Sequence, residues 1–242
     1  MLIGKKVTKK FGGLIALNYL DFEVKKNMIT GLIGPNGAGK TTLFNCITGF
    51  YSPSHGDIFF NGKRISGLSP DNICKLGIGR TFQIPRPFLG MTGFENVMIG
   101  LLYGSSKSIS IREAKNEAIS ILDFVGLKGK ENMLAKNYTL IDKKRLEIAR
   151  SLATRPELIL LDEVVAGLNP TETLQAMELV KRILKERGIT VFWIEHVMKA
   201  IMNVADKIIV LDHGVKIAEG APREVANDKN VIKSYLGERY LL

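Results

Sequence analysis

Alternation of apolar and polar positions marks the first elements of the chain. Leu20, Phe22 and Val24 alternate with polar neighbours over Leu20 to Lys25 and predict a half-buried strand. The largely apolar run Ile29 to Ile33 predicts a second strand, and Asp57 to Asn61 a third. Farther on, Leu158 to Leu161, Thr190 to Ile194 and Lys207 to Leu211 are short, branched and nearly all apolar, as strands buried on both faces of a parallel sheet are. Between them, Thr171 to Arg187 places Leu174, Met177, Val180 and Leu184 at three- and four-residue spacing and closes on Gly188, a helix with its C-terminal cap. That predicts a strand-helix-strand unit with a right-handed crossover. Residues 87–155 lack strand-like runs. Their clearest pattern is Ile111 to Val125, with Ala114, Ala118, Ile121, Leu122 and Val125 on one helical face. The reading is a single domain, 1–242, with a core from 1–86 and 156–242 and an inserted helical subdomain at 87–155. The tail predicts a hairpin, Ile208 to Leu211 and Val215 to Ala218 about Asp212-His213-Gly214, then a short helix around Pro222 to Asn227.

The chain has 242 residues, 45% of them hydrophobic, enough for a substantial core. Its 34 Lys and Arg against 24 Asp and Glu give a net charge of +10, which suits nucleotides, an anionic membrane face or nucleic acid, or is simply a solvated basic surface. No basic-aromatic platform or groove-reading motif accompanies it, so no nucleic-acid partner is expected. The apolar runs fall far short of the roughly 20 residues that span a bilayer. Met1 to Lys10 is basic without a following apolar region, so no secretory signal is expected and the chain is placed in the cytoplasm. Cys46 and Cys74 show no metal-ligand spacing and read as two buried thiols. There is no internal repeat.

The segment Gly34-Pro35-Asn36-Gly37-Ala38-Gly39-Lys40-Thr41 matches GxxxxGK[ST], follows a predicted strand and precedes the apolar positions Leu43, Phe44 and Ile47. Glycines there let backbone N–H groups converge on phosphate oxygens, Lys40 neutralises the outer phosphates, Thr41 offers a hydroxyl to magnesium and Thr42 one to an inner phosphate. Downstream, Leu158-Ile159-Leu160-Leu161-Asp162-Glu163 is an apolar strand ending in two acids. The expectation is that it lies beside the phosphate-loop strand, with Asp162 near magnesium and Glu163 facing an attacking water.

Over nearly its whole length the chain resembles the ATPase subunits of ATP-binding-cassette (ABC) importers, in particular the branched-chain amino-acid type. The resemblance rests on Arg80-Thr81-Phe82-Gln83 with Pro85-Arg86, Phe88, Met91-Thr92 and Glu95-Asn96-Val97. It rests too on Arg145 to Arg150, Ala166 to Thr173, Glu195-His196 and the ending Val231 to Glu238. It implies an α/β fold: a P-loop NTPase with a RecA-like, mostly parallel sheet, an antiparallel β subdomain and the helical insertion. It implies that Phe11, in Lys10-Phe11-Gly12-Gly13, stacks on adenine, that Gln83 senses magnesium and the attacking water, that Glu163 is the catalytic base, and that His196 contacts the γ-phosphate. ATP and Mg2+ are the implied ligands. The implied partners are membrane permease subunits, a second ABC ATPase subunit and, indirectly, a solute-binding protein, with the chain peripheral on the inner face of the cell membrane.

One stretch departs from the family. Where its glycine-rich LSGGQ-like signature is expected, this chain has Tyr138-Thr139-Leu140-Ile141-Asp142, with both glycines replaced. Branched side chains obstruct close phosphate approach and any positive-φ backbone, and Asp142 adds a like charge, although it suits a helix N-cap. Val164 stands where proline usually follows the acid pair, and Asn169 where many relatives carry aspartate. The expectation is a competent set of nucleotide-binding groups beside a defective signature, which makes an unequal pair with a paralogous ATPase more economical than a homodimer. Two alternatives are a regulatory ABC subunit that binds nucleotide with little hydrolysis and a soluble, non-transport ABC protein.

Overall fold

The computed structural model describes residues 1–105 and 109–236. Of the ending read above, Gly237 and Glu238 lie outside the described residues. The chain opens with β1 (Leu2–Phe11) and β2 (Leu14–Val24), then β3 (Ile29–Ile33), α1 (Lys40–Ile47), β4 (His55–Phe60), β5 (Lys63–Arg64), α2 (Pro70–Lys75) and β6 (Ile78–Arg80). Three helices follow, α3 (Gly93–Tyr103), α4 (Ile111–Phe124) and α5 (Leu140–Ala153). The core resumes with β7 (Leu158–Asp162), α6 (Pro170–Arg187), β8 (Thr190–Ile194), α7 (Met198–Val204), β9 (Lys207–Asp212), β10 (Val215–Gly220), α8 (Pro222–Ala226) and α9 (Lys229–Leu236).

Two sheets form. An antiparallel one runs β2-β1-β4-β5, and a six-stranded one runs β10-β9-β3-β8-β7-β6, parallel except for its β10 edge. Strands β3, β7 and β8 are buried at every position, which is why they read as continuous apolar runs. Their side chains supply two cores, one on each face: Val191 and Trp193 point to the helices, Phe192 and Ile194 to the second layer with Phe22 and Phe44. Helix α6 begins with a reciprocal cap between Asn169 and Glu172 and ends at Gly188, φ 65°. Helices α3 and α4 open on the same box, Thr92 with Glu95 and Ser110 with Glu113.

Three expectations are corrected. The strand β7 does not lie beside β3; β8 is hydrogen-bonded between them, Leu32 opposite Ile194 and Ile194 opposite Asp162. Pairing between strands this far apart in sequence leaves no local trace in the residues. The N-terminal segment, read only as basic, is the long strand β1. Cys46 is buried but Cys74 is only partly so, its thiol near the Gly104 carbonyl at 3.4 Å. Among the described residues no helix is long and apolar enough to cross a membrane.

Candidate functional site

The phosphate loop joins the end of β3 to α1, and its glycines are required. Gly34, Gly37 and Gly39 have φ of 151°, 81° and 99°. A Cβ on Gly34 would collide with the Leu211 carbonyl oxygen, and one on Gly39 with that of Ala16. Gly39 holds the N-cap position of α1 without a side-chain cap, and no acid sits in the first turn, so the positive end of the helix is left to a ligand. Lys40 is buried, its Nζ donating to the carbonyls of Gly34 at 2.6 Å and Pro35 at 2.9 Å. Burial lowers its pKa, and the charges of Glu163 and Asp162 oppose that shift.

A cleft of about 450 Å3 runs over this loop from Phe11 and Ile15 past Asn36, Gly37, Ala38, Gly39, Lys40, Thr41 and Thr42 to Gln83 and Glu163. Phe11 is exposed rather than packed in the core. Tyr51 stands edge-on to it at 5.1 Å between centroids, and the Lys9 ammonium lies 5.0 Å from its centroid. A flat ring is therefore held open at the mouth of the cleft.

At the inner end, Gln83, Glu163 and His196 converge from three segments. Gln83 Nε2 donates to Glu163 Oε2 at 2.9 Å, and His196 Nδ1 lies 3.4 Å from the same oxygen. His196 follows β8, so the strand interposed between β3 and β7 is what brings it to Glu163. Glu163 itself has φ 50°, a left-handed conformation uncommon for a non-glycine residue. Its N–H donates to the Ile194 carbonyl at 2.9 Å, and its own carbonyl accepts from Lys144 Nζ at 2.9 Å. Val164 in place of proline matters here: a proline would drive the preceding residue toward extended φ and against this conformation.

Asp162 is nearly inaccessible, and its amide donates to Thr81 Oγ1 at 3.1 Å. Burial raises its pKa, opposed first by Arg80, whose guanidinium lies 3.3 Å away. Arg80 also donates to Asn45 at 2.6 Å and Thr48 at 3.0 Å. A smaller cleft, about 270 Å3, is lined by Thr41, Gln83 and Asp162 together. One carboxylate, one hydroxyl and one amide are hard oxygen donors and too few for a protein-only cage, which fits magnesium bound jointly with phosphates.

The stretch Tyr138 to Asp142 shows where local reasoning erred. Thr139, not Asp142, is the N-cap of α5, and its hydroxyl accepts the Asp142 N–H at 3.3 Å. Asp142 stands in the first turn of the helix, buried, with Lys130 Nζ 2.6 Å from its carboxylate. Its charge is thus met inside the chain by Lys130. Leu140 and Ile141 are the first helical residues and neither has positive φ, so the obstruction they present is steric bulk alone. Leu140 is exposed, an apolar side chain in the first turn of the helix.

Several residues of the site carried no recognisable signal in the sequence. Tyr51 lies on no motif. Arg80, Lys144 and Glu147 belong to segments with recognisable neighbours, but their partners are 19 to 82 residues away. Glu147 is buried and accepts the Arg86 amide at 3.3 Å and the Phe82 amide, so it grips the backbone flanking Gln83. Burial pushes its carboxyl up to about 7.

The profile of the ABC transporter family matches residues 17–166, and that of the branched-chain amino acid ATP-binding cassette transporter matches 215–240. The chain is 42% identical over 241 residues to the high-affinity branched-chain amino acid transport ATP-binding protein LivG of Salmonella typhimurium, covering 95% of this chain and 94% of that one. It is 40% identical to the corresponding protein BraF of Pseudomonas aeruginosa, covering 96% of each. Among solved structures it is similar to the ADP conformation of MJ1267, an ATP-binding cassette of an ABC transporter, with TM-score 0.88 and 34% identity over 98% of this chain and 99% of that one. A nucleotide-free cassette from an ABC transporter superimposes with TM-score 0.86 at 32% identity, covering 98% and 99%.

Proposed function

The chain belongs to the ABC transporter family as an ATP-binding, ATPase-class subunit, and from that premise we propose that it powers an importer of branched-chain amino acids. The similarity to importer subunits spans nearly the whole chain and disfavours both a purely regulatory subunit and a soluble, non-transport protein. The observation that carries the reading is the convergence of Gln83 and His196 on the Glu163 carboxylate beside the phosphate loop.

In this reading the backbone amides from Gly34 to Thr42 and the Lys40 ammonium hold the phosphate chain, and the Phe11 ring receives the adenine face. Thr41, Asp162 and Gln83 would hold Mg2+, which supplies charge neutralisation to the phosphates when bound. Glu163 orients the attacking water and takes its proton, Gln83 fixes that carboxylate from one side, and His196 meets the γ-phosphate from the other. The residues 1–86 and 156–242 act as the nucleotide-binding core and 87–155 as the helical insertion. Permease subunits engage near Gln83, where Phe82, Arg86 and Glu147 border a groove between core and insertion. The chain is peripheral on the inner face of the membrane and serves a solute-binding protein indirectly.

The N-terminus of α5 is offered to a second ATPase subunit. With Leu140 and Ile141 over it, a homodimer would contain two weakened sites and a heterodimer one, so a paralogous ATPase is the favoured partner. The test has two arms. Calorimetry should find magnesium-dependent ATP binding by the purified chain. Phosphate release should be slow alone and rise when the paralogue is added; brisk turnover alone, lost on Glu163→Gln, would refute the weakened-signature part.

A further inference from the structure

A fully buried carboxylate that the roles above leave unused lies behind the site. Glu195 has no accessible surface. Its Oε1 accepts the amides of His196 at 3.0 Å and Val197 at 3.2 Å, and its Oε2 accepts the amide of Val165 at 3.4 Å. One side chain thus ties the turn after β7, which carries Glu163, to the turn after β8, which carries His196. The imidazole sits between two carboxylates, its Nδ1 3.4 Å from Glu163 and 3.5 Å from Glu195.

A buried carboxylate is costly unless its oxygens are met by donors. The donors are the three amides. Lys144, buried on α5, grips the same turn, its Nζ donating to the Glu163 carbonyl at 2.9 Å. The turn from Glu163 to Val165 is therefore held at its carbonyl by Lys144, at its far amide by Glu195 and at its near amide by Ile194. That triple hold accounts for how Glu163 persists at φ 50°.

We propose that Glu195, backed by Lys144, is the positioning residue that fixes the Glu163 carboxylate against the His196 imidazole and thereby sets the preference for a nucleotide bearing a γ-phosphate. It touches neither nucleotide nor water and acts only through the two turns. The proposal rests on the reading that Glu163 and His196 face the γ-phosphate.

The substitution Glu195→Gln discriminates well. Its amide oxygen can still serve His196 and Val197, but its NH2 then meets the Val165 N–H donor to donor. Lys144→Met removes the other half of the hold. The intact chain is titrated calorimetrically with the magnesium complexes of ADP and of adenylyl imidodiphosphate, a non-hydrolysable ATP analogue. In both variants the Kd for the analogue should rise about fivefold or more while that for ADP moves less than about twofold, the effect of losing roughly one buried hydrogen bond that matters only to the third phosphate. Amide exchange at Val165 should accelerate at least about tenfold, with the β7 and β8 amides unchanged. If Glu195→Gln does not fold, the same titrations on Lys144→Met decide. Unchanged analogue affinity, or equal weakening of both ligands, overturns the positioning role while leaving the site reading intact. A wild-type chain that binds neither ligand overturns the site reading and this proposal with it.

Discussion

Two helix N-termini in this molecule treat the same physical opportunity in opposite ways. At α1 the cap position is a left-handed glycine, no side chain bonds the free amides, and the first turn carries no acid. At α5 the Thr139 hydroxyl takes an amide, Asp142 sits in the first turn with Lys130 neutralising it, and the first helical residue is the exposed, apolar Leu140. Exposed N–H groups and the helix dipole favour an anion at either place. What differs is whether the chain satisfies them itself, and a handful of residues make that choice. A helix can keep its packing and its cap while satisfying its own terminal amides.

The comparison can be broken most severely at α1. Lys40→Ala should weaken ATP binding by about a hundredfold, since a charge-assisted contact to the outer phosphates is lost, and titration calorimetry reads this directly. The next effect concerns the far side of α5. Glu147 titrates near 4.5 in an unfolded chain and about 7 in the folded one, so folding takes up a proton between those values. Stability from this group is then full at low pH and declines as pH rises through about 7. Urea melts of the wild type at pH 5.5 and 8.5 should differ by about 2 kcal/mol more than those of Glu147→Gln.

A sharper test opens the closed helix end. Replacing Leu140 and Ile141 by glycine and Asp142→Gln should raise phosphate release by the chain alone about tenfold, while the two glycines cost the helix about 2 kcal/mol. Smallest of all, Thr139→Ala should cost about 1 kcal/mol in urea melts and leave ATP affinity where it was, because that cap serves only the fold.

The parts of this architecture that local chemistry dictates were readable. Strands β3, β7, β8 and β9 announce themselves because burial on both faces demands apolar residues throughout, and the phosphate loop because its glycines and lysine have no substitutes. Strand β1 escaped because Lys5, Lys6, Lys9 and Lys10 break its pattern, and register shifts at three points destroy the alternation that would betray it. Strand β6 is three residues long and includes Gly79 and Arg80. The order of the strands, the Arg80 to Asp162 pair and the hold of Lys144 on Glu163 depend on contacts between distant segments, which no window of sequence contains. At α5 Thr139 and Asp142 are both good caps by residue type, and only the path of the chain makes Thr139 the one that caps.

The interposed strand also has a consequence during synthesis. Strand β3 pairs on one side with β8, Ile29 opposite Val191, and on the other with β9, Ile33 opposite Val210. At about 5–20 residues per second, a ribosome needs roughly 8 to 32 s to make the intervening 160 or so residues before the first of those neighbours emerges. Throughout that interval both edges of an apolar strand are unpaired, the situation that invites misassociation. The nascent chain's vulnerability is therefore set by where its sheet closes, and chaperone dependence should end only after the segment carrying His196 has left the exit tunnel.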